Sequence, residues 1–251
     1  MRKIRYIIIM LLVGIALTSS FFICKEIMQN KKQEEIFEQL TKIAEEQVKD
    51  DVKEEKKEKQ INLKSLYDIN QDIVGWLKIE NTNINYPIMK SKIKDYYLRR
   101  DFYKNYSSYG TPYIANNCDI GISDNIVIYG HHIQGNKMFG YLEQYKSKEF
   151  YEDNKIIKFY TMQENKTVKT GYEIFAVFKT IVYGRNSFKY YDFTNFNNEL
   201  EYNSFFEKCK SLSLYETNII PEYKEKIITL STCEYSNRNG RLVVMAREIK
   251  N

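Results

Sequence analysis

From Ile61 onward the chain is a succession of short runs rich in Ile, Val, Tyr and Phe, each closed by a polar turn. This pattern restricts the fold more than any other feature, because it reads as strands separated by loops. The runs fall at residues 75–79, 84–89, 113–115, 125–129, 156–160, 172–179, 226–233 and 242–249. So many strands within residues 61–251 predict a mainly β domain, a barrel or a sandwich. Peripheral helices are expected at 64–70, 139–145 and 197–212. The last carries Leu200, Phe205, Phe206 and Cys209 at mixed helical spacing, in a long insertion between strands. Connections of that length often carry function.

A different physics governs the first sixty residues. Arg2, Lys3 and Arg5 form a basic tail, 1–5, ahead of an apolar segment, 6–24. That segment is close to the roughly 20 residues needed to cross a bilayer core. Basic residues stay on the cytoplasmic side, so the rest of the chain is expected outside, with the segment as a single-pass signal-anchor. The competing reading is a cleaved secretory signal with Thr18-Ser19-Ser20 near the cut. Phe21, Phe22 and Ile23 prolong the apolar run past that point and favour retention. A lipoprotein reading of Cys24 meets a bulky Ile23 where such sites carry a small residue. Residues 25–60 are expected to be a charged helical stalk and linker. Ile36, Leu40 and Ile43 recur at helical spacing, and a solvated stalk is preferred over a helix packed on the domain. The KEEKKEKQ run, 53–60, reads as linker.

The net charge of +5 comes from interleaved acids and bases. Nucleic-acid binders concentrate positive charge in a patch or stripe, so no nucleic-acid partner is expected. The four cysteines, Cys24, Cys118, Cys209 and Cys233, form no CxxC pair and fit no common zinc spacing. No metal and no cofactor is predicted, and a disulfide stays open.

Chemistry concentrates at strand ends. In IITLSTC, alternation puts Ile227, Thr229, Ser231 and Cys233 on one face, with Cys233 beside the polar EYSNRNG. A thiol there can be accessible, although the commoner fate of a cysteine is a small buried hydrophobe. The chain has only two histidines, adjacent in IVIYGHHIQG. Val127, Tyr129 and His131 share one face, and His132 falls on the other. Neighbours that point apart do not readily chelate one ion. A histidine beside a thiol supplies the base or imidazolium that a weakly ionised thiol needs. Arg241, eight positions after Cys233 and across a turn at 237–240, could hold an oxyanion. Arg247 lies on the same face, so alternation alone does not separate the two arginines.

TLSTC followed by GRLVV, with IYGHH upstream and an amino-terminal anchor, resembles the sortases, the cysteine transpeptidases of Gram-positive surfaces. TLSTCEY preceded by the long insertion is similar to class B in particular. The resemblance runs from about Leu63 to Lys250 and takes in DIVGWLKIENTNINYPIM, the YYL of Tyr96–Leu98, and KMFGYL. It implies a sortase-type closed β-barrel of about eight strands. Cys233 matches the nucleophile, Arg241 the arginine of the next strand, and His131 the histidine that follows a glycine, here Gly130. His132 is then a bystander. Leu98, Ser231 and Glu234 match positions that shape the substrate groove, and Thr229 is structural. One departure is Ile93-Lys94-Asp95, where relatives often read Asp-Asn. The implied partners are exported proteins with a carboxyl-terminal sorting signal, cleaved after threonine, and a peptidoglycan precursor or cross-bridge amine. Calcium dependence, known in some class A members, finds no acidic cluster here.

Three rivals remain open at this level. A thiol hydrolase or peptidase shares the acyl-enzyme and differs only in its acceptor. A membrane-tethered binding module predicts an inert, buried Cys233. A pilus-type sortase usually carries a lid and a second, carboxyl-terminal span, and no second apolar run precedes Asn251.

Overall fold

The computed structural model describes residues 2–45, 61–184 and 187–250. Eight strands close into a barrel: β1 (Ile73–Ile79), β2 (Asn85–Met89), β3 (Tyr113–Ile114), β4 (Asn125–Tyr129), β7 (Ile156–Gln163), β8 (Lys166–Ile181), β9 (Ile227–Glu234) and β10 (Gly240–Glu248). Their order around the barrel is β1-β2-β3-β4-β9-β10-β8-β7. Two contacts are parallel, β2 with β3 and β4 with β9, and the rest are antiparallel. All eight expected strands are present, and closure leaves no sheet edge to protect.

The barrel strands bury most of their residues on both faces, β9 all but Cys233. Trp76 is fully buried, and its indole N–H donates to Asn85 Oδ1 at 2.6 Å, satisfying the one polar atom it brings inside. β8 runs longer than expected because it joins β7 through a two-residue turn at Glu164 and Asn165. Both have positive φ, 48° and 63°, the backbone twist that tight hairpins require.

Outside the barrel lie α1 (Arg2–Glu45), α2 (Leu63–Ile69), α3 (Lys148–Asp153) and α4 (Glu199–Leu212). A short hairpin, β5 (His132–Ile133) with β6 (Lys137–Met138), and a 3-10 helix, Phe139–Lys146, follow the histidines. The hairpin and α3 are additions to the elements the sequence predicts. α3 starts at Ser147, whose hydroxyl accepts from the Phe150 amide at 3.3 Å. α4 is capped by Asn198, whose side chain accepts from Glu201 N at 2.9 Å. It packs its Phe205 and Phe206 inward.

α1 corrects the stalk expectation. It is one unbroken helix, and residues 4–28 expose their large apolar side chains. Ile36, Phe37, Leu40 and Ala44 are buried against the domain instead of solvated. Gln33 Oε1 accepts from the buried Ser107 hydroxyl at 2.8 Å, Lys137 pairs with Glu34, and Asn62 N donates to Ala44 O at 2.8 Å. The narrow apolar stripe is visible in the sequence, but its partner surface around Tyr86 is not. Phe37 and Tyr86 meet edge to face at 4.9 Å. Leu40 is fully buried, so Leu40→Ala is expected to cost about 2–4 kcal/mol in denaturant unfolding of the detergent-solubilised chain. The linker run at 53–60 lies outside the described residues.

Candidate active site

Register brings the candidate residues together. β4 and β9 run parallel with Tyr129 opposite Ser231. Two residues further on lie His131, just past the end of β4, and Cys233, still within β9. On the other flank of β9, Cys233 pairs directly with Arg241 across an antiparallel ladder. The turn between them closes with Gly240 N donating to Asn237 O at 3.0 Å. Arg247 pairs with Ile227 at the far end of the same strands. It is held there by Glu173 at 2.9 Å and the buried Glu225 at 3.2 Å. The ambiguity between the two arginines is thus resolved by distance along the strand, six residues or about 20 Å.

Cys233, His131 and Arg241 line one cavity of about 530 Å³. Cys233 is half-buried, unlike the buried Cys118 and Cys209. All four cysteines are free, and Cys24 is exposed on α1. Arg241 Nη1 donates to Gly240 O at 2.8 Å, and among the described residues no carboxylate pairs with it. Most of its five donors are therefore available to a ligand.

His131 is oriented by backbone. Its Nε2 lies 2.8 Å from Leu98 O. A carbonyl only accepts, so Nε2 carries a proton and Nδ1 is the atom left for proton transfer. The Leu98 carbonyl belongs to a 3-10 helix, Tyr96–Arg99. Gly110 packs against it with φ of 62°, where an added Cβ would lie 2.6 Å from Leu98 O. Gly130 is equally constrained, since a Cβ there would meet the ring of the buried Phe139 at 2.5 Å. Burial pushes the His131 imidazolium below its ordinary value and the Arg99 charge adds to this, against the Leu98 hydrogen bond. The folded value is below the unfolded one. The neutral ring therefore contributes stability above about pH 6.5 that is lost as pH falls through the folded value. Arg99→Gln is expected to raise the His131 midpoint and return part of that acid-side stability. With only two histidines in the chain, imidazole NMR titration reads this directly.

Of the three groove candidates, Leu98 and Ser231 line the cavity. Ser231 Oγ is buried and 2.6 Å from Tyr190 Oη. Glu234 lies on the opposite face of β9 from Cys233 and does not line the cavity. Its buried carboxylate accepts from Lys146 at 2.8 Å and from Ser236 Oγ and N at 2.5 and 3.1 Å. Burial works to raise its pKa, but the Lys146 and Ser236 contacts outweigh it and hold the carboxyl at about 2. Thr229 donates to Asn125 Oδ1 at 2.7 Å inside the barrel, a structural role.

The sequence reading gives no role to Tyr113 or Tyr129, which also line the cavity, and reaches Tyr190 only as the start of the long insertion. Tyr113 and Tyr129 form one wall, with rings 5.7 Å apart. Tyr190 and Tyr191 come from the start of the long insertion, and burial pushes the Tyr190 phenol up to about 12. α4 itself is a buttress, with Phe205 5.0 Å from Phe193 and 5.2 Å from Phe196. Asp95, within the departing Ile93-Lys94-Asp95 segment, accepts from the Tyr113 hydroxyl at 3.0 Å. The signal available was Tyr129 itself, two residues before His131 on the same strand face.

Residues 77–249 match the family model of the sortase domain. The chain belongs to the sortase family, and so to the cysteine transpeptidases. Its relatives are of class B. It is 36% identical to sortase B of Staphylococcus aureus over 189 residues, 74% of each chain. A substrate complex of Staphylococcus aureus sortase B is similar with a TM-score of 0.67 at 31% identity, covering 90% of this chain and 94% of that one. A sortase B complexed with triglycine gives 0.66 at 36% identity, with 75% and 85% covered.

Proposed function

We propose that this chain cleaves a carboxyl-terminal sorting signal after threonine and transfers the exported protein to a peptidoglycan amine. The observation that carries this reading is the convergence of Cys233, His131 and Arg241 on one cavity through the β4–β9–β10 register. Cys233 is the nucleophile. Its thiolate attacks the threonine carbonyl and an Sγ–C bond forms. The peptide C–N bond breaks as Nδ1 of the His131 imidazolium gives its proton to the leaving amine. Arg241 holds the developing oxyanion from the neighbouring strand. A primary amine then attacks the thioester, returns a proton to His131, and Cys233 leaves as thiolate. The substrate and triglycine complexes of the relatives support a peptide donor and an amine acceptor.

Leu98, Ser231 and the tyrosines of the cavity wall shape the peptide groove, and Glu234 supports the strand end from behind. Burial disfavours the charged form of His131, the Leu98 hydrogen bond favours it, and the Arg99 charge works against it.

The domain outside the membrane is 61–251, and residues 6–24 span the bilayer with the basic tail inside. α1 is apolar and long enough to cross a membrane, by length and composition. At 1.5 Å per residue those 19 positions cover about 28 Å, and the same helix then reaches the barrel through Ile36–Ala44. The test is intact-mass spectrometry of the detergent-solubilised chain mixed with threonine-containing peptides. An adduct equal to the peptide up to its threonine, released by an added amine as a new amide, is the expected result. Release as free acid even with the amine present would assign hydrolysis, and no adduct with an unreactive Cys233 would remove the catalytic reading.

A further inference from the structure

The second histidine has no part in the proton transfer described, yet it touches the nucleophile's backbone. β4 and β9 run parallel, and the Gly130 amide donates to Ser231 O at 3.2 Å. Carbonyls facing one neighbour recur every second residue along a strand. The next carbonyl of β9 turned toward β4 is therefore that of Cys233. A continuing ladder would serve it with the amide of residue 132. β4 ends at Tyr129, however, and His132 turns into the β5–β6 hairpin, paired with Met138. Its imidazole Nδ1 instead lies 3.0 Å from Cys233 O. The carbonyl accepts, so Nδ1 is the protonated nitrogen.

We propose that His132 is a positioning residue, whose side chain replaces the missing ladder hydrogen bond and fixes the peptide that carries the nucleophile. The proposal rests on Cys233 being that nucleophile. Cys233 is the next-to-last residue of β9, which ends at an exposed turn at 235–239, and an unpartnered carbonyl would leave its peptide held from the β10 side alone. The His132 ring is itself fixed. Tyr235 packs edge-on at 4.9 Å, and a Glu143 carboxylate oxygen is 3.8 Å from Nδ1. Glu143 pairs with Lys146 at 2.5 Å, and Lys146 with Glu234 at 2.8 Å. Glu234 is thus held from the 3-10 helix Phe139–Lys146, and the His132 ring that holds the Cys233 carbonyl lies against the same helix. Both histidines serve Cys233 from opposite strand faces, one with a proton and one with a hydrogen bond to the backbone.

Asparagine and glutamine separate this role from mere filling of space. The amide nitrogen of Asn falls where Nδ1 lies, whereas that of Gln reaches the Nε2 position. In the detergent-solubilised full chain, kcat and KM for peptide transfer are measured alongside alkylation of Cys233 by iodoacetamide. Peptide mass mapping reads Cys233 separately from the exposed Cys24. His132→Gln and His132→Leu are expected to lower kcat about tenfold or more with KM unchanged, and to slow alkylation. His132→Asn should stay within about twofold, since small displacements of a reacting group are costly. Equal losses in all three variants, or losses that follow only the folded fraction in a melting curve, would overturn the proposal. Should His132→Leu not fold, the Asn and Gln pair decides. If wild-type chain transfers no peptide, the proposed chemistry fails on its own, and the alkylation ratio of the Asn and Gln variants still decides the positioning of the thiol.

Discussion

Cys233→Ala is expected to abolish the acyl adduct and lower amine-dependent transfer by on the order of 10⁴-fold or more, because the two-step route through a thioester disappears altogether. Among the described residues no other thiol is placed to take over. Cys118 and Cys209 are buried, and burial pushes both thiols up, which suppresses their thiolates. Cys24 sits on the exposed apolar stretch of α1 and does not line the cavity. The side chain removed is small and half-buried, so the melting temperature should stay close to that of the parent. A loss of activity without loss of fold is the signature sought in parallel thermal and transfer assays. Residual transfer above about one per cent of wild type would mean that another nucleophile acts, and the reading of Cys233 would be wrong.

The second large effect concerns the paired arginines. Arg241→Gln is expected to reduce kcat by about 10²–10³-fold, the range typical of removing one donor from a developing oxyanion. Arg241 carries no carboxylate partner among the described residues, so little stability should be lost. Arg247→Gln should do the reverse. It removes the partner of Glu225, which is nearly fully buried, and of Glu173. Lys250, 3.4 Å from Glu225, remains to compensate in part, so a loss of about 1–2 kcal/mol is expected with kcat nearly unchanged. Steady-state kinetics and denaturant unfolding on the two variants measure this crossing. If Arg247→Gln lost kcat and Arg241→Gln did not, the assignment would be inverted.

Much of this could be read without coordinates, because the relevant signals are local. A strand that is apolar until it meets polar residues shows its own end, and both IVIYGHH and TLSTC end that way. The eight runs follow from β-branched and aromatic stretches closed by polar turns, and the α4 region from mixed helical spacing. Where the reading fell short, the information lay between segments distant in sequence. Burial of Leu40 depends on what Tyr86 and its neighbours present to α1, and no periodicity within α1 reports that. The family resemblance places Glu234 beside the groove, yet next to Cys233 on a strand means the opposite face, and Lys146 from 88 residues upstream holds it there. The contact of His132 is equally invisible in the sequence, since it is with a carbonyl 101 residues away.

The sequence by itself determined the strand content, the basic tail and apolar helix from which an exported domain is proposed, and the three residue types of the proposed chemistry. Each of these depends on composition or on the order of near neighbours, which local sterics and hydrophobicity express directly. Only the tertiary structure decided which side chains meet. The parallel β4–β9 register brings the segment with His131 to the Cys233 end of the sheet, the β9–β10 register sets Arg241 and not Arg247 opposite Cys233, and the Leu98 carbonyl fixes the proton of His131 on Nε2. Register is a property of two strands and of the barrel that closes around them, and a shift of one residue would turn every one of these side chains to the other face.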